Sequence, residues 1–109
     1  QRLQQQIVSG VYPPGSKLPS VRELAADAGV NPNTVQRAFA ELERAGLIYT
    51  QRTAGKFVTE DAAAVAAARR SLAEAQTRQY LAAMRALGCG KQEIHNLFDQ
   101  MEEQEHADL

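Results

Sequence analysis

Tryptophan is absent from this 109-residue chain, cysteine occurs once, and no apolar run approaches the length of a membrane span. Each absence excludes something. A single cysteine cannot close an internal disulfide, which rules out a small disulfide-stapled secreted scaffold and leads us to expect a reducing, cytoplasmic setting. A spanning helix needs roughly 18–20 apolar residues, so no membrane partner is expected. Neither sign of charge dominates, with 12 Lys+Arg against 13 Asp+Glu. There is no Ser/His/Asp or Cys/His set, no glycine loop to cradle a phosphate and no zinc-ligand spacing, so an enzyme is not expected, nor a cofactor or metal site. The chain opens Gln1-Arg2-Leu3 without a methionine and without a visible leader, so its start is expected further upstream. What remains is 44% hydrophobic, near the globular average, and long enough for one domain or a small module with an appendage.

The balanced total hides an asymmetry. Through Thr59 there are seven basic residues and four acidic ones; from Glu60 onward there are five and nine. A net charge of −1 therefore does not exclude nucleic acid, and the first half is the half to inspect.

Residues 1–9 read as the end of a helix, with Leu3 and Ile7 one turn apart and Gly10 as a stop. Pro13-Pro14-Gly15 fits neither a helix interior nor a central strand. Ser20, with Glu23 three residues on, forms a capping-box pattern for a helix to about residue 28, whose apolar face is Val21, Leu24, Ala25 and Ala28. After Gly29-Val30, Asn31 is a good N-cap and Pro32 suits the first turn of a second helix. Val35, Ala38, Phe39 and Leu42 make its buried stripe; Asn33, Arg37, Ala40 and Arg44 lie opposite, flanked by Thr34 and Gln36. Two helices joined by a three-residue turn with a glycine match helix-turn-helix spacing. Leu47–Arg52 and Lys56–Thr59 read as strands around a tight Thr53-Ala54-Gly55 connection, a basic hairpin placed as a wing. A long helix follows to about Leu87, Gly88-Cys89-Gly90 breaks it, and a last helix carries Ile94, Leu97, Phe98 and Met101. The fold class expected is mainly α: a winged helix-turn-helix over residues 1–59, then a C-terminal helical hairpin over residues 60–109 that serves as a dimerisation tail.

A helix that reads DNA needs polar residues near its N-terminus pointing away from the core. Asn33 and Gln36 have the donor–acceptor pair that matches adenine, and Arg37 suits guanine or a phosphate. Arg22 on the preceding helix, and Arg52 and Lys56 at the wing, suit the backbone. Leu18-Pro19-Ser20-Val21-Arg22-Glu23-Leu24-Ala25, Gly29-Val30-Asn31-Pro32-Asn33-Thr34-Val35-Gln36-Arg37-Ala38 and Leu42-Glu43-Arg44-Ala45-Gly46-Leu47-Ile48 together resemble the GntR family of bacterial transcription regulators. The resemblance covers roughly residues 1–59 and implies a DNA-binding winged helix-turn-helix that engages operator DNA as a homodimer, with repression as the expected sign. It carries DNA contact over to Arg22, to Asn31, Asn33, Thr34, Gln36 and Arg37, and to Gly55 and Lys56. Many members have arginine where Pro32 and Gln36 stand, so the bases read do not carry over. The Asn-Pro-Asn-Thr-Val form and the short tail resemble the YtrA subfamily, whose tail is a helical hairpin used for dimerisation.

In the tail, Leu72, Tyr80, Leu81, Met84, Ile94, Leu97, Phe98 and Met101 are more apolar surface than two helices bury between themselves, so they are expected to meet a second copy across a two-fold axis. A small-molecule effector is left open: a helical hairpin encloses no drug-sized pocket by itself, whereas a cleft between subunits would. His95, Asp99 and Glu102 have spacing a metal uses, but on an acidic helix they read as a solvated face. Cys89 lacks the basic neighbours of a redox sensor. The alternative function, a winged helix used for protein docking, would call for an apolar face over residues 33–44, and the face there is polar and basic.

Overall fold

The computed structural model describes residues 2–107. In chain order the elements are α1 (Arg2–Val8), α2 (Val21–Ala28), α3 (Pro32–Arg44), β1 (Ile48–Gln51), β2 (Gly55–Val58), α4 (Ala62–Ala86) and α5 (Lys91–Ala107). β1 is a residue shorter than expected at each end and β2 is shifted back by one residue: Leu47, Arg52 and Thr59 lie outside the strands, and Gly55 lies within β2. The backbone divides between Ser71 and Leu72 into two compact units.

The first unit is organised by local signals that agree with one another. Ser20 Oγ accepts from the Glu23 amide at 3.1 Å while the Glu23 carboxylate accepts from the Ser20 amide at 3.2 Å, closing a capping box at the start of α2. Gly29 ends α2 at φ 65°, a left-handed conformation that costs other L-residues about 1–2 kcal/mol. Two residues later Asn31 caps α3, its side-chain oxygen accepting from the Asn33 amide at 2.8 Å, and Pro32 opens the helix. α3 buries Val35, Phe39 and Leu42 against Leu3 and Ile7 of α1, Ala25 of α2, Leu47, and Ile48 and Val58 of the hairpin. On α2 only Ala25 is fully buried; Val21 and Leu24 are half-buried and Ala28 is exposed, so the short helix meets the core along a narrower line than its sequence stripe suggests.

β1 and β2 pair antiparallel with Ile48 opposite Val58, Tyr49 opposite Phe57 and Thr50 opposite Lys56. The segment after Pro13-Pro14-Gly15 adds a short third edge: the Leu18 amide donates to the Lys56 carbonyl at 2.8 Å and the Val58 amide to the Ser16 carbonyl at 2.9 Å. The start of α4 also belongs to this unit. Val65 is 6% exposed within the same core, Ala68 packs against it, and the Arg69 guanidinium donates to the Val8 carbonyl at 3.2 Å, satisfying one of the acceptors that the end of α1 leaves free.

The second unit consists of the rest of α4 and α5, joined through Leu87-Gly88-Cys89-Gly90. The Leu87 and Cys89 amides both return to the Met84 carbonyl, at 3.1 Å each, which terminates α4. Ile94 is its one buried side chain among the described residues.

Candidate nucleic-acid interface

The helix expected to read DNA has the face that task requires. Asn33, Thr34, Gln36 and Arg37 are all exposed on α3, Asn33 and Arg37 opposite buried Val35, Phe39 and Leu42 and Thr34 and Gln36 on the flanks. The side chains of Asn33, Gln36 and Arg37 make no hydrogen bond or ion pair among the described residues, and neither do Arg22 on the first turn of α2 and Arg52 at the hairpin tip. Their donors and acceptors are met by water alone in the free protein, so exchanging them for base edges or phosphate oxygens breaks no internal contact.

Asn31 has a divided role. Its side-chain oxygen is committed to the cap, which leaves the two N–H donors of the amide for a ligand. The helix end itself offers fewer free amides than its sequence suggests. Pro32 has no N–H, the Asn33 amide is taken by Asn31 Oδ1, and the Thr34 amide donates to the Asn31 carbonyl at 2.9 Å. What α3 contributes to a phosphate from this end is chiefly its dipole. Thr34 and Arg37 also border a groove of about 410 Å³ between α1, α2 and α3, floored by Leu3, Tyr12, Leu24 and Val35.

The wing differs from a simple basic loop. Strand alternation puts Thr50 and Lys56, paired across the hairpin, on the same face as buried Ile48 and Val58, the face turned toward α3. There the Lys56 ammonium meets the Glu43 carboxylate on the last turn of α3 and donates to Thr50 Oγ1 at 2.8 Å, while the Thr50 hydroxyl donates to Glu43. The same ammonium lies 5.8 Å from the centroid of the Phe39 ring. The hydrogen bonds from Lys56 and then Thr50 hold the Glu43 carboxyl below the ordinary carboxylate range. On the other face Tyr49 and Phe57 stack with centroids 5.7 Å apart. Gly55 has φ 108°, so glycine is needed there for conformation; a Cβ would stand 3.3 Å from the flexible end of the Lys17 side chain. Of the expected wing residues, then, Arg52 is free at the tip, Gly55 shapes the strand, and Lys56 is engaged. Glu43 was not among the residues singled out from the sequence; the period-2 position of Lys56 relative to Val58 was the signal that could have found it.

In the second unit the expected interface residues grade from buried to open. Ile94 is buried and Leu72, Leu81, Met84 and Leu97 are half-buried. Tyr80, Phe98 and Met101 are 42%, 59% and 59% exposed, and Leu87 at the turn is 78% exposed. Burial, and then the nearby Glu93 carboxylate, push the Cys89 thiol above its ordinary range, the reverse of an activated thiolate. Among the described residues no group of three His, Cys, Asp or Glu side chains is arranged to hold a metal, and no helix is long and apolar enough to cross a membrane.

Comparison with known proteins bears on the same residues. The profile of the family described as "Bacterial regulatory proteins, gntR family" matches residues 1–58. The chain is 42% identical over 81 residues to the HTH-type transcriptional regulator YhcF of Bacillus subtilis, a match spanning 74% of this chain and 67% of YhcF. It is 48% identical over 62 residues to the HTH-type transcriptional repressor YtrA of the same organism, covering 57% of this chain and 48% of YtrA. A solved GntR family transcriptional regulator from Listeria monocytogenes superposes with a TM-score of 0.84 at 40% identity, over 91% of this chain and 87% of that one.

Proposed function

This chain belongs to the gntR family of bacterial regulatory proteins, DNA-binding transcription regulators rather than enzymes, and from that premise we propose that it is a repressor that binds an inverted-repeat operator as a homodimer. The observation that carries the proposal is the unengaged polar face of α3: Asn33, Gln36 and Arg37 stand exposed on a helix whose start is fixed by the Asn31 cap. In this reading Asn33, Gln36 and Arg37 enter the major groove, with Asn31 and Thr34 at its edge. Arg22 and Arg52 hold phosphates on either side, and Gly55 and Lys56 shape the wing that carries Arg52. Residues 1–59 carry the DNA-binding work and residues 60–109 the pairing of copies.

Support for dimerisation comes from the second unit. Tyr80, Phe98 and Met101 leave large apolar surface in water, beside half-buried Leu72, Leu81, Met84 and Leu97, and a second copy covers such surface. A two-fold pair presents its recognition helices to major grooves about 34 Å apart, or a multiple of that, which requires a palindromic site. Repression is supported by the relative YtrA of Bacillus subtilis, which is a transcriptional repressor. A cytoplasmic location accords with this work. An effector is no necessary part of it.

Selection of bound sequences from a random duplex pool, with purified protein at near-physiological salt, tests the proposal. An enriched inverted repeat is the expected result. Salt-sensitive binding without sequence preference, or a docking partner captured in place of DNA, would overturn it.

A further inference from the structure

Lys56 is the one basic residue of the wing whose charge is already spent. Its ammonium, the Thr50 hydroxyl and the Glu43 carboxylate close a triangle in which each member bonds the other two, with Lys56 donating to both and Thr50 donating on to Glu43. The three come from separate elements: Glu43 from the end of α3, Thr50 from β1 and Lys56 from β2. The Lys56 and Glu43 side chains are 32% and 38% exposed, and the Phe39 ring lies beside the ammonium. The hairpin has no other charged tie to the helix among the described residues.

We propose that Glu43 is the positioning residue of the wing: acting through Lys56 and Thr50, it fixes the hairpin against the end of the recognition helix and keeps the Lys56 cation from serving as a phosphate ligand. The inference rests on the DNA-binding reading above and adds to it a residue of the wrong sign for DNA. A carboxylate beside a DNA-binding face repels phosphates unless a cation neutralises it. The pair Glu43–Lys56 therefore presents DNA with a neutral unit whose value is placement of Arg52 at the tip relative to Arg37 on α3. A loose wing with a free Lys56 would bind any duplex more tightly and discriminate less.

The test is the salt dependence of DNA binding, which counts phosphates neutralised: each cation contributes about 0.9 to the slope of log Kobs against log salt. Glu43→Gln keeps the shape of the side chain, removes the charge that neutralises Lys56, and is expected to steepen the slope by about one unit for random duplex. It should also lower the ratio of operator to random-duplex affinity by about two- to fivefold, the worth of an exposed ion pair. Lys56→Met alone bares the Glu43 carboxylate and should weaken binding to operator and random duplex alike, and the double variant Glu43→Gln/Lys56→Met, neutral again, should return the slope to the wild-type value. A slope that stays about one unit flatter than wild type in the double variant, or one that does not change in Glu43→Gln, overturns the proposal. Amide exchange of residues 50–57 in the DNA-free protein gives an independent reading should no operator be found. Faster exchange in Glu43→Gln, with α2 and α3 unchanged, supports the tie, and unchanged exchange sinks it.

Discussion

In the proposed function Asn31 has two tasks for two ends of one amide, and substitution can separate them. Its oxygen accepts from the Asn33 amide at 2.8 Å and caps α3. Its N–H donors are uncommitted on an exposed residue, at the edge of the proposed DNA surface. Asn31→Ala removes both and should cost about 1 kcal/mol of folding stability, within a range of about 0.5–2 for a lost cap. In a unit of this size that lowers Tm by about 4–8 °C. Asn31→Ser keeps an oxygen that caps equally well, so its stability should lie within a few tenths of a kcal/mol of wild type. It still lacks the two N–H donors, and loss of one hydrogen bond to DNA is worth about 0.5–1.5 kcal/mol, or roughly two- to tenfold in operator affinity. Urea unfolding at one fixed protein concentration gives the first quantity and fluorescence anisotropy with operator DNA gives the second. Fixing the concentration matters because pairing of copies adds to apparent stability. A serine variant as unstable as the alanine variant would refute the cap argument. A serine variant that binds operator as tightly as wild type would remove Asn31 from the contact surface.

Three further outcomes are expected. Truncation after Ser71 should leave a folded DNA-binding unit, whereas truncation after Asp61 removes Val65, whose burial is worth about 1.5–3 kcal/mol, and the Arg69 bond to Val8; circular dichroism during urea unfolding should show the difference, and equal midpoints would mean the start of α4 is dispensable. Phe98→Asp places a charge on a 59% exposed apolar position, and sedimentation should then report a monomer; an intact dimer would put the interface elsewhere. Glu23, held low by the backbone and then the side-chain hydrogen bond from Ser20, and Glu43, held low by Lys56 and then Thr50, both titrate below their ordinary value of 4.5. Their contribution to stability is therefore complete above about pH 4.5 and is lost as pH falls through the lower folded values; thermal unfolding from about pH 6 to about pH 3 should show that loss, with a smaller loss in Ser20→Ala.

The order of elements was legible because punctuation and periodicity coincide. Ser20 with Glu23, Gly29, and Asn31 with Pro32 each do in the structure what their residue types suggest: a box, a left-handed stop and a capped start. Local signals of this kind are short-range and survive any tertiary arrangement. The extent of the first unit was not legible, because nothing in Ala62-Ala63-Ala64-Val65 distinguishes a linker helix from one that completes a core. Only the membership of Val65 in the core that runs from Leu3 to Val58 decides it, and that is a long-range fact. The same holds for Ala28, which continues the apolar stripe of α2 but reaches past the width of the surface it packs on.

For the candidate site, residue type and residue direction carried different amounts of information. Asn33, Gln36 and Arg37 were placed by helical period, and the period also gave their direction, so the structure finds them exposed. Lys56 was placed by charge alone, as a basic residue in a wing. Counting from buried Val58 in steps of two puts it on the inward face, where a lysine must find a partner or lose solvation. The partner is thirteen residues back, on a helix whose period marks a buried stripe and a polar ridge but no task for the flank between them. Glu43 lies on the flank between those two, the position from which a side chain reaches a neighbouring element instead of the core or the groove. A charge in a DNA-binding wing is evidence of phosphate contact only after the strand register has put it on the outer face. Arg52, at the exposed tip and bonded to nothing else among the described residues, meets that condition, and Lys56 does not.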